Sequence, residues 1–359
     1  MPRQSIYLDW NATAPMRAEA VAAMYDAAKD WANPSSVHAD GRRARGRLES
    51  ARERVAGSLG ALPQQIVFTS GGTEALALAL SGVPAERVLI SAVEHSAVIE
   101  AAPAAERIAV DHDGVIDLDH LRSLMETGPA LVAVMHANNE TGVIQPIADI
   151  YDVVKDAGGN LLVDAVQTAG KMSLPPADFL AVSAHKLGGP PGVGVLIARC
   201  AEDLQAIQKG GGQERGLRGG TENLPGIAGF AAALEANDRS WLVAAEKRRN
   251  IMENRLFEAG AQIFAPDVPR LANTSMIRMK RVAASTQLIS LDMAGFAISS
   301  GAACSSGKVG QSHVLMAMGV AADAAGEAIR ISTGWTTTND DIDAFCTAWE
   351  ALAAQKAAT

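Results

Sequence analysis

Between about residues 60 and 200, short β-branched or apolar runs alternate with stretches of helical periodicity, and no other feature constrains the fold as tightly. The runs are QIVFT, RVLIS, RIAV, LVAVMH, NLLVD, DFLAVS and VGVLIA, and the helix-like stretches between them include TEALALAL, IDLDHLRSLMET and PIADIYDVVKDAGG. Strands this apolar, spaced by helices, predict an α/β domain whose mainly parallel, seven-stranded sheet is covered by helices on both faces. A long helical stretch follows, from NLPGIAGFAAALEAN through EKRRNIMENRLFEAG, and then sparser strands (LANTSMIR, FAISS, EAIRIST) with helices between and after them. This second pattern predicts a smaller α+β domain, completed by the N-terminal IYLDW. The expected division is 12–245 for the large domain, with 1–11 and 246–359 forming the small one.

A chain of 359 residues is long enough to bury a large core in two domains. Its net charge of −9 lacks the footprint of a nucleic-acid binder, and the basic run GRRARGRLESARER is interleaved with acids, as on an exposed helix face. The opening MPRQSIYLDWNATAP has neither the charged leader nor the apolar core of a secretory signal, and no apolar run approaches the length of a membrane span. The three cysteines, Cys200, Cys304 and Cys346, are too few and too scattered for a disulfide framework. Without a C-x-x-C pair, no four-thiolate metal site can be built in one chain. The expectation is a cytoplasmic protein with no metal site and no nucleic-acid or membrane partner.

In open parallel sheets ligands bind beyond the carboxyl ends of the strands, so those ends carry the chemistry. QIVFTS is followed by Gly71-Gly72-Thr73-Glu74 opening a helix, which suits either an anion cradle or an ordinary helix cap. GAACSSGKV resembles a nucleotide-binding loop only faintly: its spacing is one residue too long and no Ser or Thr follows Lys308. NLLVD ends in Asp164, with Gln167 just beyond. LAVSAHK delivers Ser183, His185 and Lys186 to the same edge, RVLISAVE is followed by His95, and LVAVM leads to Asn139 in HANNETG.

Lys186 is unusual in lying between a histidine and the run LGGPPG inside an apolar stretch. It could be a solvated loop lysine, a phosphate-binding lysine or a lysine joined to a cofactor. A buried ammonium is costly unless paired or chemically altered. Convergence of five strand ends decides among the three. A lysine able to form an imine, an aspartate for a ring nitrogen and a glycine–threonine anion cradle together describe a pyridoxal 5'-phosphate site.

With these residues in view, the sequence closely resembles the cysteine desulfurases of the NifS/IscS type, fold-type I pyridoxal-phosphate enzymes. The stretches that carry the likeness include YLDWNATAP, NPSSVHADGRRAR, IVFTSGGTEALALAL, EHSAV, MHANNETGVIQPI, VDAVQTAGK, SAHKLGGPPGVG, GGGQERGLRGGTEN, SSGAACSSG and IRISTGWTTTNDDID. The resemblance implies that Lys186 carries the cofactor as an imine, that His95 stacks on its ring and handles protons, and that Asp164 pairs with the ring nitrogen. It implies that Asn139 and Gln167 contact ring substituents, and that Gly72, Thr73, Ser183 and His185 hold the phosphate with Thr221 from the partner subunit of a homodimer. Arg330 would hold the substrate carboxylate by a two-pronged pair. Cys304, in the small and polar stretch AISSGAACSSGK, would take sulfur from L-cysteine as a persulfide, leaving alanine, and pass it to an acceptor protein such as an iron–sulfur scaffold or sulfur carrier. Cys200 and Cys346 fit structural roles better.

The chain departs from the family pattern at Trp10, at Gln213 (usually histidine) and at Gly220 (usually serine). It ends soon after TTTNDDIDAFCTAWEALAAQKAAT, without the extension that many members use to dock a scaffold, which leaves the acceptor open. The alternatives on the same fold are a selenocysteine lyase or an aminotransferase, the latter having no need of Cys304. A non-catalytic scaffold would have no need of Lys186, Asp164 and His95.

Overall fold

Each of the seven apolar runs becomes a strand of one sheet in the computed structural model, which describes residues 5–300 and 311–357. The chain begins with β1 (Ile6–Tyr7), α1 (Ala18–Ala27) and α2 (Ala39–Leu59). The sheet strands are then β2 (Ile66–Thr69), β3 (Val88–Ser91), β4 (Glu106–Ile108), β5 (Leu131–Met135), β6 (Asn160–Asp164), β7 (Phe179–Ser183) and β8 (Gly194–Ala198). They lie in the order β2-β8-β7-β6-β5-β3-β4, and only β8 runs against its neighbours. Helices α3 (Gly72–Gly82), α4 (Ser96–Ala101), α5 (Leu118–Met125) and α6 (Ile147–Asp156) connect them.

Neighbouring residues on a strand point to opposite faces, and here both faces are apolar. On β5, Val132 and Val134 enter a core with Leu48 and Val55 of α2, while Leu131 and Ala133 enter a second core with Leu76 and Ala79 of α3. The helical stretch expected after the sheet is two helices, α7 (Leu224–Glu235) and α8 (Trp241–Glu258). Polar side chains cause the break by competing for main-chain groups. Asp238 accepts from the Ser240 amide at 2.8 Å, and Asn237 is spent on Gly170 and Arg17. The two helices also serve different cores: Phe230 and Leu234 of α7 pack under the large sheet, whereas Met252 and Leu256 of α8 do not.

The rest of the described chain comprises β9 (Gln262–Ile263), β10 (Thr274–Arg278), α9 (Ala284–Met293), β11 (Phe296–Ala297), α10 (His313–Ala317), α11 (Ala322–Ala325), β12 (Ala328–Ser332) and α12 (Asn339–Ala357). Strands β12, β10 and β9 form an antiparallel sheet. The N-terminus joins this part of the molecule, β1 lying parallel to β11 and Leu8 packing with Ile277, Ile329 and Trp349. A further cluster sets Val93 and Val143, from turns at the carboxyl edge of the large sheet, against Met276, Val314 and Leu315. It presses β10 and α10 onto the edge where the strand-end residues emerge.

Candidate active site

At that edge lies a cavity of about 740 Å³, within the range of small-molecule sites. Gly72, Thr73, His95, Asn139, Asp164, Gln167, Ser183, His185, Lys186 and Arg330 all line it. Thr221 is exposed and does not line it, and Cys304 lies outside the described residues. Ser299 on one side of residues 301–310, and Gln311 and His313 on the other, also border the cavity.

Helix α3 starts at the cavity, and the Gly72 and Thr73 amides meet no acceptor among the described residues. Free amides, the helix dipole and the hydroxyls of Thr73 and Ser183 make an anion site. The backbone there is tightly nested. A Cβ on Gly194 would lie 2.7 Å from the Gly71 backbone and from the Val182 carbonyl oxygen. Glu74 ties this turn to the loop that carries Thr221, accepting from the Ser70 amide and pairing with Arg218 at 2.7 Å.

Asp164 ends β6, and one of its oxygens accepts from the Val166 amide at 2.9 Å. Burial pushes its pKa up to about 6. No lysine or arginine among the described residues comes within ion-pair distance of it. A desolvated carboxylate without a cation suits a protonated ring nitrogen. His95 caps α4, its Nδ1 accepting from the Ala97 amide at 3.0 Å, so the neutral ring carries its proton on Nε2. Burial first, then the positive charges of Lys186, His313 and Arg330, lower its pKa and keep it neutral.

Lys186 closes a single 3₁₀ turn after β7. Its Nζ donates to the carbonyls of Asn11 at 2.6 Å and Ala12 at 2.8 Å. Burial and then Arg330 lower its pKa to about 8, so it is a usable base near neutrality. Beside it, burial brings His185 down to about 4, and His185 Nδ1 lies 3.1 Å from the Thr13 hydroxyl. Gln167 donates to the Asn11 carbonyl at 3.0 Å and accepts from Lys171, an amine that burial brings down to about 7.

Arg330 is buried on β12. Nη2 donates to Asp9 at 2.6 Å, Nη1 donates to the Asn139 carbonyl at 2.9 Å, and Nε has no partner among the described residues. Donor capacity is therefore left over for a carboxylate. The free amides at α3, the unpaired Asp164 and the buried Lys186 with its lowered pKa together fit pyridoxal phosphate, which Gly72, Thr73, Ser183 and His185 would hold by its phosphate.

Sequence reasoning gave no role to Asp9, Asn11 or His313. The first two lie in YLDWNATAP, whose only singled-out residue was Trp10. Trp10 packs over Gly334, where a Cβ would come within 2.0 Å of its ring, and meets Trp335 edge-on with centroids 4.6 Å apart. His313 donates from Nε2 to the Glu94 carbonyl at 2.8 Å, and Ser312 donates to the buried Glu140, so the start of α10 is fastened to two sheet-edge turns.

Comparisons with known proteins agree with this geometry. The aminotransferase class-V family matches residues 6–345. A cysteine desulfurase of Frankia sp. (strain EuIK1) is 40% identical over 375 residues, covering 94% of this chain and 88% of that protein. The cysteine desulfurase IscS of Dictyoglomus turgidum is 35% identical over 364 residues, covering 95% and 92%. A solved NifS-like protein superposes with a TM-score of 0.89 at 35% identity, covering 98% of this chain and all of that one. Strand order, cavity and sequence thus lead to one conclusion: the chain belongs to the aminotransferase class-V family, in its cysteine desulfurase branch.

Proposed function

We propose that the protein is a pyridoxal-phosphate-dependent cysteine desulfurase that converts L-cysteine to L-alanine and retains the sulfur on Cys304 as a persulfide. The observation that carries this is the convergence of Lys186, the unpaired Asp164 and the incompletely paired Arg330 on one cavity beside an open helix N-terminus. When bound, the cofactor supplies an electron sink for charge developing at the α-carbon of an amino acid joined to it. Asp164 keeps the ring nitrogen protonated, and Gly72, Thr73, Ser183 and His185 fix the phosphate. Asn139 and Gln167 orient the ring, and His95 covers it.

Arg330 receives the substrate carboxylate, which places the α-proton near Lys186. Lys186, its pKa lowered to about 8, would remove that proton in its neutral form. Cys304 thiolate attacks the substrate sulfur, forming an S–S bond as the C–S bond breaks, and the carbon is protonated and released as alanine. Ser299 and Gln311 bring the chain to the cavity five residues before and seven residues after Cys304, which supports this role.

The exposed Thr221 supports a homodimer in which it completes the partner's phosphate site. The separate cores support a cofactor domain over 12–245 and a small domain of 1–11 with 246–359. A cytoplasmic enzyme passing sulfur to an iron–sulfur scaffold or sulfur carrier fits the IscS likeness, and no helix among the described residues is long and apolar enough to cross a membrane.

The test is alanine formed from L-cysteine with a reductant, for wild type and Cys304→Ala. Alanine from the wild type and almost none from the variant is expected. Equal alanine from both would remove Cys304 as nucleophile, and none from either would replace desulfuration with transamination.

A further inference from the structure

Every polar atom of Asn11 is used, and three of its partners, Asn139, Gln167 and Lys186, line the site. Its amide nitrogen donates to Ser332 Oγ at 2.9 Å. Its side-chain nitrogen donates to Thr274 Oγ1 at 2.9 Å and to the Asn139 carbonyl at 3.2 Å, and Asn273 donates to its side-chain oxygen at 3.3 Å. Its carbonyl accepts from both Lys186 and Gln167. The residue is 1% exposed. A side chain this fully committed holds its own main chain in one place.

We propose that the main-chain carbonyls of Asn11 and Ala12 receive the Lys186 amine whenever it is not bonded to the cofactor, and that the Asn11 side chain is the positioning residue that keeps them there. The inference rests on Lys186 being the cofactor lysine. Two carbonyls at 2.6 and 2.8 Å suit an ammonium, which offers three donors and accepts nothing. During turnover the released amine must take a proton in a desolvated site where Arg330 already disfavours a second positive charge. The two oxygens offset that cost at the moment the proton arrives. They also draw Nζ away from the cofactor, so that an incoming amine holds the bond once it has displaced the lysine.

In that exchange the incoming nitrogen forms the carbon–nitrogen bond that Lys186 gives up, and two hydrogens pass from the incoming nitrogen to the leaving one. Its equilibrium therefore reports how well the freed lysine is accommodated. The experiment follows the visible absorption of the cofactor in the holoenzyme at one fixed pH during titration with ethylamine and, separately, with L-alanine. Ethylamine has no carboxylate and is blind to Arg330. The variants are Asn11→Ala and Thr274→Val, the second removing one anchor of the Asn11 side chain with little change of shape.

Asn11→Ala is expected to need about tenfold more of both amines for half-displacement, the scale of one hydrogen bond to a charged group. Thr274→Val is expected to shift both curves in the same direction by roughly threefold, and it carries the test alone if Asn11→Ala does not fold. An unchanged ethylamine curve overturns the proposal. So does weakening confined to L-alanine, because Asn11 would then act through Asn139 and Arg330. Absence of alanine formation from L-cysteine by the wild type would defeat desulfuration but leave the ethylamine titration decisive for the carbonyl pair.

Discussion

Arg330 shows how much of a site can depend on one planar group. Its two ion-paired and hydrogen-bonded nitrogens fix the guanidinium while Nε is buried without a partner among the described residues. A lysine in its place would present a point charge without the fork, and would leave Asp9 or the substrate poorly matched. Arg330→Lys is expected to raise the KM for L-cysteine about tenfold or more with a smaller change in kcat, since the group holds substrate and does no chemistry. Steady-state alanine formation checks this, and an unchanged KM would remove Arg330 from substrate binding. At this scale the sequence was partly legible. Lys186 and Asp164 announced themselves by their places at strand ends, whereas Arg330 gained a role only through family likeness. Asn11 stayed hidden because it contributes a carbonyl, which every residue possesses.

The informative element is β8, the one strand of the seven-stranded sheet that runs against its neighbours. It enters the sheet at the edge where the other strands leave it, so its first residue, Gly194, lies opposite Thr69 and Ser183, the last residues of its neighbours. Gly194→Ala would drive a methyl group into the Gly71 backbone and the Val182 carbonyl, neither of which can rotate away. The variant is expected to lose about 1–3 kcal/mol of stability and to hold the cofactor more weakly than wild type. Thermal unfolding and a cofactor-release titration measure the two effects, and normal cofactor affinity would show that the α3 turn tolerates the shift. All seven strands could be read from their apolar runs because burial on both faces leaves an unbroken signature. The gap between α7 and α8 could not, because Ala236 and Arg239 continue a helical composition. Only the side-chain bonds of Asn237 and Asp238 end it.

For the molecule as a whole, the buried amines make stability depend on pH. Lys171 and Lys186 have folded values of about 7 and 8, against 10.5 ordinarily. Above pH 7 the unfolded chain therefore binds more protons than the folded one, and stability rises with pH. The slope approaches about 1.4 kcal/mol per pH unit for each amine that is neutral only when folded. The cost of burying these amines builds as pH falls from about 10.5 and is complete once pH is below 8 for Lys186 and below 7 for Lys171. His136 and His185, both brought down to about 4, act at lower pH, whereas Glu94 and Cys346, both raised by burial, oppose the rise without reversing the direction set by the two amines. Denaturant unfolding of the cofactor-free chain between pH 7 and about 9.5 is expected to show the rise, and a flat profile would mean that the amines are solvated. Net charge and composition gave no hint of this, since they count lysines without regard to depth.

The bond from Asn11 to Ser332 joins residues 321 positions apart. On a ribosome, the segment that cradles the lysine emerges early, while β12, which brings both Ser332 and Arg330, emerges only after more than nine-tenths of the chain has been made. The strands of the seven-stranded sheet, the anion cradle and Lys186 all precede in the chain the arginine and the serine that anchors the carbonyls. Order of synthesis thus places the residues for the cofactor's phosphate and imine ahead of the one for the substrate's carboxylate.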